Sequence, residues 1–142
     1  MSQSVFISKS QIEETLNVIP TQGKKLLEPL KSFSVEHRLP FNILEDQEVS
    51  NDAEVHMHEA DLWHCLEGEV FFVCGGEMVD PWFGENADGS ENKNEVTAKE
   101  IKNGTTFVLK PGDWLYIPAG VAHQHKCEKV VRLAIIKIPQ LT

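Results

Sequence analysis

Four of the six histidines stand in two His-x-His pairs, His56 with His58 and His123 with His125. Imidazole binds Zn, Fe, Ni and Cu. Residues two apart on a strand project to one face, so each pair can aim two ring nitrogens into one cavity. Two such ligands from one strand and one from another supply three corners of a metal site. Asp61, three residues beyond His58, adds a carboxylate. One His-x-His arises readily as surface or core histidines, whereas two, each flanked by turn residues, point to a metal. Trp63 and Cys65 share the alternating face of Asp61, and His64 points the other way. Arg132 interrupts an apolar run and has two readings, a group for a substrate carboxylate or a structural ion pair, the latter being the ordinary one.

Side chains so placed require strands, and the chain is rich in strand signals. Alternation over Leu62 to Leu66 and Glu69 to Val73 flanks Glu67-Gly68, and Val96 to Ile101 and Thr105 to Lys110 flank Asn103-Gly104. Both read as hairpins. Gly75-Gly76 turns the chain into Met78-Val79, and Pro111-Gly112 precedes Trp114 to Ile117. Val130 to Ile138 is apolar on both faces, as in a strand covered on both sides. A period of two over Phe33 to Phe41 predicts a further strand. Before it, Ser10 and Glu13 have capping-box spacing ahead of Ile12, Leu16 and Ile19, which predicts a short helix over Ser10 to Val18. Leu26, Leu27 and Leu30, broken by Pro29, read as one helical turn. Some eight or nine short strands in all indicate an all-β sandwich or barrel. The expected division is a helical extension over 1–32 and a β-barrel domain over 33–142. Pro81 to Lys93 is polar apart from Trp82 and Phe83 at its base, and has two readings, a flap over the barrel mouth or an unstructured surface insertion with no role.

The residues from Ser50 to Gly68, with His56, His58 and Asp61, resemble the first cupin motif, in which a His-x-His is followed by a carboxylate and a glycine. Those from Gly112 to His123, through Pro118, Gly120 and His123, resemble the second. Ser50 stands where the motif opens with glycine, Asp61 where it has glutamate, and Cys127 where it ends in asparagine. The resemblance implies a jelly-roll barrel in which His56, His58 and His123 hold one divalent transition metal (Fe, Mn, Ni or Zn), with Asp61 as fourth ligand or its neighbour. It places no ligand at His125, and Cys127 reads as a small buried hydrophobe. Cupins include dioxygenases, isomerases and plain binding proteins. The expected function is therefore a metal-dependent enzyme of dioxygenase or isomerase type on a small oxygen-rich metabolite, the alternative being a non-catalytic metal- or ligand-binding module. Small cupins also pair, and the two-sided Val130 to Ile138 strand suggests a homodimer.

Composition narrows the partners. The chain has 142 residues, 41% hydrophobic and 25% charged. That is one globular domain. Thirteen Lys and Arg against 22 Asp and Glu give a formal charge of -9. A field of that sign repels phosphate backbones and anionic lipid, so nucleic acid and membrane are not expected partners. Met1 to Lys9 carries no basic region followed by an apolar stretch. Cys65, Cys74 and Cys127 form no CxxC pair and no disulfide framework, so the expected location is the cytoplasm.

Overall fold

The computed structural model describes residues 3–140. Ser8 opens the first helix, α1 (Lys9–Leu16), its hydroxyl accepting the Gln11 N–H at 3.1 Å. The cap thus falls two residues before the expected one, because Ser8 is the last residue with extended backbone. A strand, β1 (Gly23–Leu26), and a second helix, α2 (Leu30–His37), follow. Here the period-two reading of Phe33 to Phe41 fails. Phe33 and His37 are also spaced i,i+4, and in the helix their rings lie 4.4 Å apart. Ser34 is buried and its hydroxyl donates to the Phe41 carbonyl at 2.6 Å. Val35, which a strand would turn inward, is 70% exposed. α2 therefore runs across the expected boundary between residues 32 and 33, and β1 of the extension joins the main sheet.

The remaining strands are β2 (Phe41–Gln47), β3 (Ala53–His56), β4 (Glu59–Glu67), β5 (Val70–Cys74), β6 (Glu77–Val79), β7 (Trp82–Glu85), β8 (Glu91–Ala98), β9 (Glu100–Lys102), β10 (Thr105–Leu109), β11 (Trp114–Ile117), β12 (His123–Lys126) and β13 (Val130–Pro139). They form two antiparallel sheets, β1-β2-β13-β4-β11 and β10-β5-β12-β3-β8-β7, with β6 and β9 as a small separate ladder. Their inner faces enclose Leu44, Trp63, Val70, Phe72, Leu133 and Ile135. This is the expected jelly-roll architecture.

Neither expected hairpin forms. The turn at Glu67-Gly68 carries the chain from β4 in one sheet to β5 in the other, and the turn at Asn103-Gly104 separates β9, paired to β6, from β10, paired to β5. Gly and Asn supply positive φ at both corners, but a corner residue does not choose the next strand's partner. Gly68 has φ +81°, and a Cβ there would lie 2.2 Å from the Val130 carbonyl oxygen. Gly68→Ala is expected to cost about 3 kcal/mol, read as a lower urea midpoint at unchanged slope.

The stretch Pro81 to Lys93 is not unstructured but lies in a β7–β8 hairpin. Trp82 pairs with Thr97 and Glu85 with Glu91. The tip closes through Asn86 N–H to Ser90 O at 2.8 Å and through Asp88, which accepts both the backbone N–H and hydroxyl of Ser90. It widens the second sheet beside β3.

The outer side of β13 is covered in part by the chain itself. Arg132 is 3% exposed and donates from Nε to Glu45 Oε1 at 2.9 Å, while Nη1 and Nη2 donate to the carbonyls of Leu16 and Val18. Glu45 also accepts the Thr21 N–H at 3.2 Å. Arg132 is the structural ion pair, fastening the end of α1 to the first sheet.

Candidate metal centre

Strand β3 ends at His56, and its register with β12 sets Glu54 opposite His123. Residues directly opposite share a face. Glu54, His56 and His123 accordingly converge, with one donor atom of each within 4.8 Å of the others. Glu54 Oε2 lies 3.8 Å from His56 Nε2, Glu54 Oε1 lies 3.9 Å from His123 Nε2, and the two imidazole rings are 5.3 Å apart. Asp61, on β4 of the facing sheet, reaches the group with Oδ2 at 3.5 Å from His123 Nε2.

Of the four expected ligands the structure brings His56 and His123 together, with Asp61 adjoining His123. His58 stands apart, exposed in the bend after β3, where the alternation that would have turned it inward is broken. Glu54 occupies the corner instead. The sequence reading passed over it, although Glu54-x-His56 carries the same two-residue spacing as the histidine pairs. His125 lies along β12, buried between Trp63 and Phe72, with Nε2 2.6 Å from Asp46 Oδ2. Cys127 is a buried core residue, its thiol pushed up chiefly by burial. Outward-facing His64 stacks on Trp114 with ring centroids 3.8 Å apart.

His123 Nδ1 donates to the Val121 carbonyl at 3.2 Å, which leaves Nε2 with its lone pair toward Glu54 and Asp61. Burial lowers the His123 pKa below the ordinary imidazole value and outweighs the opposing pull of Asp61. The ring is therefore held in its ligand form. Asp61 is 1% exposed; its Oδ1 accepts from Lys137 Nζ at 2.7 Å, and Lys137 also lies 3.9 Å from Glu59. Asp61 Oδ2 and His123 Nε2 are both buried without a hydrogen-bond partner. Two unsatisfied acceptors facing each other are costly unless a cation or a donor lies between them. The three donor contacts of 3.5 to 3.9 Å, His56 to Glu54, Glu54 to His123 and His123 to Asp61, approach the ~3–3.4 Å ligand edges around a divalent ion with bonds of ~2.1 Å. The donor set fits such a metal.

Outside the donors is a polar rim. His56, His58, Glu59, Asn92, Asn94 and Glu95 line a cleft of about 290 Å³, Asn92, Asn94 and Glu95 coming from β8. A larger cleft of about 410 Å³ near Gly68, Phe71 and Lys129 lies at the other end of β4 and holds none of the donors.

A family model described as a JmjC domain matches residues 78–137, fewer than half of the 142, and takes in His123 but not Glu54, His56 or Asp61. No curated protein matches the chain. Solved structures that resemble it include the cupin domain of Drosophila melanogaster CENP-C, with 15% identity over 68% of this chain and 59% of that one at a TM-score of 0.44. A putative ethanolamine utilization protein Q from Salmonella typhimurium has 15% identity over 71% and 58%, at 0.44. A recombinant oxalate oxidase in complex with glycolate has 13% identity over 71% and 42%, at 0.45. The chain spans about half the length of these relatives.

Proposed function

We propose that this small cupin-fold domain is a metal-dependent enzyme of dioxygenase or isomerase type, acting on a small oxygen-rich molecule at one divalent transition metal per chain. The observation that carries the reading is the buried pair of partnerless acceptors, His123 Nε2 and Asp61 Oδ2, beside His56 and Glu54. When bound, such a metal supplies Lewis acidity toward a carbonyl or hydroxyl oxygen and, if it is iron, a site for O2 activation. The chain's own part is to orient and to exclude water. Val121 fixes the His123 tautomer, and Lys137 donates to Asp61 Oδ1 and so orients the carboxylate. Asn92, Asn94 and His58 offer hydrogen bonds at the rim. His58 belongs to the rim in this reading and not to the ligand set.

The test is elemental analysis of protein purified anaerobically, followed by titration with Fe, Mn, Ni and Zn. One equivalent per chain is expected, and a chain that takes up none of the four sinks the reading. A binding module without turnover is the second reading, favoured because the carboxylates near the group, Asp61 and Glu59, are tied to Lys137. Product formation from any of a panel of keto acids, diketones and phenols would exclude it.

Three free cysteines support a reducing, cytoplasmic setting. No helix among the described residues is long and apolar enough to cross a membrane. The proposed partner in solution is a second copy. Trp114 and Tyr116, on the outer face of edge strand β11, are 58% and 48% exposed, and Leu62 of β4 stands opposite Tyr116 on that face. Sedimentation equilibrium should give a dimer that Trp114→Lys dissociates; a monomer at high micromolar concentration would contradict this.

A further inference from the structure

The two sheets do not meet along one side. Strand β10 ends the second sheet and β11 ends the first, and no strand among the described residues bridges them. The gap shows in Phe107. It is opposite fully buried Phe72 and so faces inward, yet it is 41% exposed. Cys74, Thr105, Phe107, Leu115, Ile117 and Val121 line the resulting cleft, whose volume is about 250 Å³. All but Thr105 present apolar or thiol surface, and burial pushes the Cys74 thiol up to about 11, so it stays neutral.

The cleft lies at the level of the candidate metal centre. Across the second sheet, Thr105 is opposite Cys74, Cys74 opposite His123, and His123 opposite Glu54. Across the first, Ile117 is opposite Asp61 and Asp61 opposite Lys137. Neighbouring strands are ~4.8 Å apart and opposite residues share a face, so the cleft walls Cys74 and Ile117 stand one strand from His123 and Asp61. Val121 belongs to both, lining the cleft and accepting the His123 N–H. An apolar wall thus adjoins the two buried, partnerless acceptors.

We propose that this cleft holds the apolar part of a ligand whose chelating end lies at Glu54, His56 and His123. The ligand class is a small oxygen chelator with an aromatic or branched aliphatic substituent, such as an aryl keto acid, a substituted diketone or a phenol. A sugar acid, hydroxylated along its length, would set unpaired hydroxyls against Phe107, Leu115 and Ile117. The assignment rests on the metal reading for its polar end and on the cleft alone for its apolar end.

Two measurements separate the ends. In metal-free protein, benzyl alcohol should shift the amide resonances of Gly75, Thr105 and Leu115; their invariance overturns the cleft. In cobalt-loaded protein, benzohydroxamate and acetohydroxamate share one chelating head, and the visible cobalt spectrum reports binding of each. Benzohydroxamate is expected to bind at least tenfold more tightly. Thr105→Trp, at an exposed position, should fill the cleft and remove the preference. Phe107→Ala, which deletes wall area instead, should reduce it, and carries the test if the tryptophan variant does not fold. Equal affinities in the unmodified protein, or a preference untouched by both variants, overturn the proposal. So does a dimer that Thr105→Trp converts to monomer, since the cleft is then a subunit contact. Failure to take up cobalt with the benzyl alcohol shifts intact would sink the metal reading and leave the apolar site standing.

Discussion

His123→Ala is expected to weaken binding of a divalent transition metal by more than ~100-fold while leaving far-UV circular dichroism unchanged. Loss of a mere outer partner of a ligand costs 10–100-fold, and His123 is the donor itself. It is also the residue to which the others converge, with Glu54 at 3.9 Å and Asp61 at 3.5 Å from its Nε2. Competition against a metal-binding dye gives the affinities directly. His56→Ala should behave likewise, and Glu54→Gln should lose less, since an amide oxygen still coordinates but brings no charge. His58→Ala should lose little. If His58→Ala abolished binding and Glu54→Gln had no effect, the sequence-based ligand set would be right and the geometric one wrong.

Arg132→Met is expected to lower stability by about 3–5 kcal/mol, the range for breaking a buried ion pair from one side. Glu45 would keep its carboxylate at 0% exposure with Arg132 gone, and the carbonyls of Leu16 and Val18 would lose their donors. The double variant with Glu45→Met should recover much of the loss, because two apolar residues leave no stranded charge. Urea unfolding of the two single variants and the double measures both quantities. A loss below 1 kcal/mol in Arg132→Met would mean that α1 is held by its apolar contacts alone.

Arg132 and Glu45 also mark the limit of what the sequence discloses. A charged residue inside an apolar strand announces a partner, but the partner lies 87 residues away and only the pairing of β2 with β13 identifies it. Lys137 was silent for the same reason, since its tie to Asp61 follows from the β4–β13 register. What depends on local geometry was legible. Alternation set His123 and His125 on one face, Gly68 and Asn103 turned the chain, and Val130 to Ile138 formed a central strand. What depends on partner choice was not, and so both hairpins were misjudged while both corners were correct. His58 falls away from the group because β3 stops at His56, and the segment from Phe33 to His37 was misread where two periods fit the same residues.

The position of β13 has a kinetic consequence. It is the last strand in the described chain and lies between β2 and β4, so the first sheet closes through contacts such as Arg132 to Glu45 and Lys137 to Asp61, separated by 87 and 76 residues. Closing loops of that length is entropically uphill before any pairing rewards it, and folding dominated by such contacts runs on the millisecond-to-second scale. During that interval β2 and β4 each present an unpaired edge, with Ile43 and Leu44 on one and Trp63 and Cys65 on the other. A nascent chain halted before residue 130 would offer both edges to its neighbours.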